Sequence, residues 1–129
     1  MAASGAFWLV EQADKVYALP SSIVGSIGVI TVLTDTTRAE KNMGYDSYYL
    51  KTGDNKAVGV GQISEKQLEI YKQIQNNIFS KFVFAIERAR KIKLSDEEKD
   101  GRIFTAEQVK NKFVDDVGLL NILNSEFKF

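Results

Sequence analysis

The chain contains no cysteine and no histidine, and only one proline in 129 residues. Without cysteine there are no disulfides and no thiolate metal sites, and the redox compartment stays open. The missing histidine excludes more, because it removes the commonest metal ligand and the commonest general base. No cofactor or metal is expected. No apolar run is long enough to span a bilayer, and the first residues lack the basic stretch that opens a signal peptide. Neither sign of charge prevails, with 17 basic residues against 17 acidic. No overall field therefore draws the chain to nucleic acid or to an anionic membrane. What remains is ordinary for a globular domain: 44% apolar and 26% charged residues. A chain of this length buries roughly two-thirds of its unfolded surface, enough for a real core.

Local patterns divide the sequence into alternating strands and helices, which argues an α/β fold. Ser4 to Ala13 reads as a short helix, and Lys15 to Leu19 (KVYAL) as a strand closed by Pro20. SSIVGSIGVITVL follows, rich in β-branched residues and broken by Gly25 and Gly28; it reads as a bent, buried segment. Asp35 is placed to cap a helix running to about Met43, with Gly44 ending it. Asp46 to Lys51 (DSYYLK) is expected to be a strand and residues 52–63 a glycine-bearing loop. Ser64 with Gln67 forms a capping box ahead of the clearest element of the chain. There Leu68, Tyr71, Ile74, Ile78, Phe82, Ile86 and Ala89 recur at helical spacing, giving a helix of about 40 Å. Ser95 with Glu98, and Thr105 with Gln108, are boxes expected to open two further short helices. Val114 to Leu120 reads as a strand or turn.

Chemistry without histidine needs another base. Ser4, in MAASGAFW, is open to two readings, a helix cap or a nucleophile. The bases that remain are carboxylates, lysines and a terminal amine. A lysine, with an unperturbed pKa of about 10.4, needs a drop of about three units to work near neutral pH. Burial among apolar groups achieves this by penalising the ammonium, and a hydroxyl nearby aims the lone pair. Lys56 is the best placed of the lysines. It follows a strand and a Gly53 turn, and precedes the uncharged stretch Ala57-Val58-Gly59-Val60-Gly61.

The run AASGAFWLVEQADKVYALPSSIVGSIGVI resembles the signal peptide peptidase A (protease IV) family of Ser-Lys peptidases. Three further blocks match in order. Thr52-Gly53-Asp54-Asn55-Lys56 is similar to the family's Ser/Thr-Gly-x-x-Lys. The helix from Ser64 takes the place of the family's long helix. Asp100-Gly101-Arg102-Ile103-Phe104-Thr105, followed by Val114-Asp115-Asp116-Val117-Gly118, resembles its Asp-Gly-Arg-Val-Phe-Thr and Val-Asp-x-x-Gly signatures. The resemblance implies Ser4 as nucleophile, Lys56 as general base, Ser26 as the hydroxyl that positions the lysine amine, and the Gly5 N–H as an oxyanion donor. It implies a Clp-protease/crotonase-like spiral of βαβ units, acting as a serine endopeptidase on hydrophobic or signal-peptide-like peptides. It also implies a homo-oligomer. Family members are commonly membrane-associated; no anchoring segment is visible here.

Family members also carry strands, helices and a second oxyanion loop ahead of the nucleophile. Residues 1–129 are therefore expected to form a single partial peptidase domain, N-terminally truncated, with the missing N-terminal half as a possible partner. Asp54 is expected to face water, since a carboxylate turned towards Lys56 would stabilise its ammonium. Two alternatives stand beside the peptidase: a catalytically inactive structural or assembly module, and a capsid-maturation protease of a tailed phage.

Overall fold

The computed structural model describes residues 1–56, 58–59 and 61–118. Its mixed α/β chain divides into two compact units, Met1–Val29 with Ile78–Phe129, and Ile30–Asn77.

The first unit is built on short strands. β1 (Ala2–Ala3) leads into helix α1 (Gly5–Val10), followed by β2 (Tyr17–Ala18) and β3 (Ile23–Gly25). After the end of the long helix come β4 (Ile103–Thr105), a 3-10 turn (Ala106–Val109) and β5 (Asp116–Val117). β1 pairs in parallel with β3, Ala2 opposite Val24 and Ala3 opposite Gly25. β4 lies antiparallel on the other side of β3, and β2 pairs in parallel with β5. The core is drawn from α1, β3, the end of the long helix, the 3-10 turn and the loops beside them: Phe7, Val16, Val24, Ile27, Phe82, Ile86, Val109 and Phe113 are all buried. Phe7 meets Phe113 edge to face at 5.4 Å, a geometry that aligns the ring quadrupoles. Gly25 is obligatory where β3 ends. Its φ is +99°, and a Cβ there would come within 3.0 Å of the Phe104 ring and 3.1 Å of the Arg102 carbonyl.

The second unit holds α2 (Thr37–Asn42) and the first part of α3 (Glu65–Arg90). Polar bonds organise it. The Asp35 carboxylate accepts from the Thr37 N–H and hydroxyl, and from the Ile63 N–H. The Glu40 carboxylate accepts from Thr36, Ser47 and Tyr49. Ser64 and Gln67 form the expected capping box, each backbone N–H donating to the other's side chain at 3.0 and 3.3 Å. Tyr49 packs its ring so near Gly61 that a Cβ would sit 2.9 Å away.

Several expectations need correction. Residues 46–50 form no strand, and their side chains are exposed. The segment expected to be bent and buried is buried only in its first half: Val24 and Ile27 are inside, whereas Ile30 and Val32 are 85% and 77% exposed. On α3 the apolar stripe is real, but Phe82 and Ile86 are its buried members while Leu68, Ile74 and Ile78 stay exposed. The Ser95–Glu98 box forms as expected, yet it opens a turn over residues 96–101 and no helix. The Thr105 N–H donates to Gln108 at 2.8 Å, opening a single 3-10 turn. Of the Val114–Leu120 segment, Leu119 and Leu120 lie outside the described residues, as do Ala57 and Val60 of the stretch after Lys56.

Candidate active site

Ser4 sits at the junction of β1 and α1, and its backbone is unusual. With φ 55° and ψ −127° it occupies a conformation that β-carbon-bearing residues rarely adopt. Such outliers persist only where the surroundings enforce them. Here the Ser4 N–H donates to the Gly25 carbonyl at 2.8 Å, fixing one side of the turn. The Ser4 carbonyl accepts from the Trp8 N–H at 3.0 Å and starts α1 on the other. The side chain makes no capping bond and the residue is exposed. A strand, a strained serine and a helix in direct succession form the kind of sharp turn that presents a nucleophilic hydroxyl. Ser4 occupies the N-cap position through its backbone, but its hydroxyl is not used to cap the helix.

Ser26 is brought beside this turn. Because β1 and β3 run parallel with Ala3 opposite Gly25, Ser4 and Ser26 each follow the last paired residue of adjacent strands. Ser26 also has a positive φ, 56°, and its N–H donates to the Arg102 carbonyl at 2.7 Å. The Asp100-Gly101-Arg102 block thus holds Ser26 through backbone. Gly5 opens α1, where a helix N–H has no acceptor within the helix, and a Cβ at Gly5 would meet nothing within 4 Å.

Lys56 belongs to the second unit. Its N–H donates to the Gly53 carbonyl at 3.1 Å, closing a turn in which Gly53 has φ +85°. Lys56 is exposed and, among the described residues, its ammonium is in no ion pair; Asp54 is exposed as well. The Asp54 carbonyl accepts from Lys51 and from Gln67. Among the described residues no cluster of acidic side chains could hold a metal ion.

One charged group beside α1 has no counterpart in the motif reading. Glu11, at the end of α1, is fully buried and pairs at 2.6 Å with Arg90 of α3, whose side chain is 8% exposed. Arg90 also donates to Asp115 at 3.1 Å, and Asp115 in turn accepts from Lys15 and from the Val16 N–H. Burial pushes the Glu11 carboxyl up to about 7 against the pull of Arg90. Asp115 is partly buried too, which works upward, but the Val16 N–H, Lys15 and Arg90 outweigh this and hold it below the ordinary carboxylate range. The sequence did carry a signal for Glu11. It lies four residues after Phe7, on the inward face of α1, where a charged side chain is out of place.

Comparisons with known proteins place the chain among peptidases. Protease 4 of Salmonella typhi is 26% identical over 122 residues, covering 92% of this chain and 20% of that protein. A putative signal peptide peptidase SppA of Enterococcus faecium is 28% identical over 122 residues, covering 91% of this chain and 36% of the relative. A protein named Na(+)/H(+) antiporter NhaA, of Brucella abortus, is 33% identical over 98 residues, 74% of this chain but 13% of its own length. Among the described residues no helix is long and apolar enough to cross a membrane. The chain spans between about an eighth and just over a third of these relatives' own length. The model of peptidase family S49 matches residues 1–128, and the chain belongs to that family.

Proposed function

We propose that this chain carries the nucleophile and the general base of a serine peptidase working through a Ser-Lys dyad. The observation that carries the reading is the Ser4 turn: an exposed hydroxyl, unused as a cap, held at φ 55° between a strand and a helix. Membership of a peptidase family supports it. In this mechanism Ser4 Oγ attacks the peptide carbonyl while the neutral Lys56 amine takes its proton. The lysine then protonates the leaving amine, and water hydrolyses the acyl-enzyme. Ser26 aims the lysine lone pair, and the Gly5 N–H stabilises the oxyanion. Hydrophobic or signal-peptide-like segments are the substrates, and the complete fold is a Clp-protease/crotonase-like spiral.

Residues 1–129 act as part of one peptidase domain, and the partners belong to the same reading. Ile30, Val32, Tyr48 and Leu50 offer apolar surface, which suits self-association or a complementing N-terminal half. Light scattering tests the first, and a clean monomer removes it. The chemistry is tested with a fluorophosphonate probe on the folded chain. Ser4 should be labelled at alkaline pH, Ser4→Ala should take no label, and Lys56→Ala should slow labelling by about a hundredfold or more. A folded chain that takes no label at any pH, with or without the complementing half, sinks the reading and leaves a structural module.

A further inference from the structure

Helix α1 is six residues long, too short to hold itself in place. Three side chains fix it. Phe7 packs against Phe113, Trp8 stacks on Phe82 at 4.7 Å, and Glu11 closes on Arg90. The first two are apolar contacts that tolerate sliding along a helix. Glu11 alone is directional. Arg90 reaches from α3 to Glu11 through Nε and to Asp115 through Nη1, so it joins the nucleophile helix to the segment entering β5. Among the described residues, Glu11 Oε1 and Arg90 Nη2 are both buried without a hydrogen-bond partner. The pair is therefore one bond short of the two-pronged arrangement that carboxylate and guanidinium favour. An ion pair of this kind is a poor device for stability, since desolvation offsets its attraction, but a good one for fixing register.

The geometry points to Glu11 and Arg90 as positioning residues for Ser4: their ion pair holds α1, and the strained serine at its start, in the reactive register. This rests on the nucleophile reading of Ser4. The charges acting on Glu11 are Arg90 from α3 and Asp115 from the segment before β5, and Lys15 is tied to Asp115. When Glu11 takes a proton the charge that orients α1 is lost, and Arg90 turns wholly to Asp115. With Glu11 titrating at about 7, the register is set by pH in the neutral range.

The chain contains its own reporter. Trp8 is the one tryptophan of the sequence and lies on α1 between Ser4 and Glu11. The experiment follows Trp8 emission and fluorophosphonate labelling from pH 5.5 to 8.5 in the full chain, with Glu11→Gln and Arg90→Lys beside it. The wild type should show a Trp8 transition with its midpoint near 7 and a labelling rate that rises through the same midpoint. Glu11→Gln, which keeps the shape and loses the charge, should show neither inflection and should label about fivefold more slowly at pH 8. Its thermal unfolding should be no easier than that of the wild type. Arg90→Lys keeps the charge but not the planar fork, and should not restore the rate. Glu11→Gln labelling at the wild-type rate, or a wild type with no Trp8 transition, overturns the proposal. A Trp8 transition that Glu11→Gln abolishes, in a chain whose Ser4 is never labelled, supports the clamp and overturns the nucleophile reading instead.

Discussion

The two units of this chain are held by different forces. Among the described residues, the buried apolar side chains belong to the unit formed by residues 1–29 and 78–129. In residues 30–77 the ordering contacts are carboxylates and amides bonded to backbone and hydroxyls, centred on Asp35, Glu40 and Gln67. The Ser4 turn sits on the first kind of scaffold and the Lys56 loop on the second. A strained backbone such as that of Ser4 needs close packing to enforce it. A lysine turn needs only a glycine and one hydrogen bond, and Gly53 and the Lys56 N–H supply them. The contrast shows where each catalytic candidate stores its geometry: Ser4 in the core, Lys56 in local loop chemistry.

Substitutions should break the two units unequally. Phe113→Ala, which empties the space against Phe7 and Phe104, should cost about 3–5 kcal/mol in chemical denaturation. Leu50→Ala, at a fully exposed side chain, should stay within about 0.5 kcal/mol. A large effect at Leu50 would mean that a partner covers the second unit.

Acidity should separate the units next. Glu11 has its folded carboxyl raised by burial to about 7 from an ordinary 4.5. Between those values the folded state holds the proton that the unfolded state has released, so stability falls as pH rises. The first unit should therefore lose about 2–3 kcal/mol between pH 4.5 and 7, and Glu11→Gln should flatten that slope. In the second unit Asp35 and Glu40 are held below their ordinary values by the Thr37 and Thr36 hydroxyls. Their contribution is present above the ordinary carboxylate range and is lost as pH falls. Hydrogen exchange across a pH series, read unit by unit, should show the opposite slopes.

The smallest effect is local. Asp35→Ala removes the acceptor of the Thr37 N–H, so α2 should fray, with faster amide exchange at Thr37 and no change at Phe82 or Ile86. Equal loss in both places would show that the units unfold as one.

Much of the local order was legible in the residues. The Ser64–Gln67 and Thr105–Gln108 boxes form because each pairs a hydroxyl with an amide three residues on, a contact made within one turn. The Ser95–Glu98 box shows the limit of that logic, since its hydrogen bonds form without a helix to follow. DSYYLK has the composition of a strand but finds no partner strand among the described residues, and composition cannot supply one. On α3 the periodicity marked one stripe, yet burial of Phe82 and Ile86 and exposure of Leu68 and Ile74 depend on what packs alongside.

By itself the sequence determined the alternation of strands and helices, the absence of histidine that makes lysine the base to consider, and the motif order that points to Ser4, Ser26 and Lys56. Those rest on short-range bonding and residue chemistry, which travel with the chain. Only the tertiary structure decided that the Ser4 hydroxyl makes no capping bond, that parallel pairing of β1 with β3 sets Ser26 beside it, and that Arg90 reaches back 79 positions to Glu11. Those depend on contacts between distant segments, and on a buried charge whose partner no local pattern names.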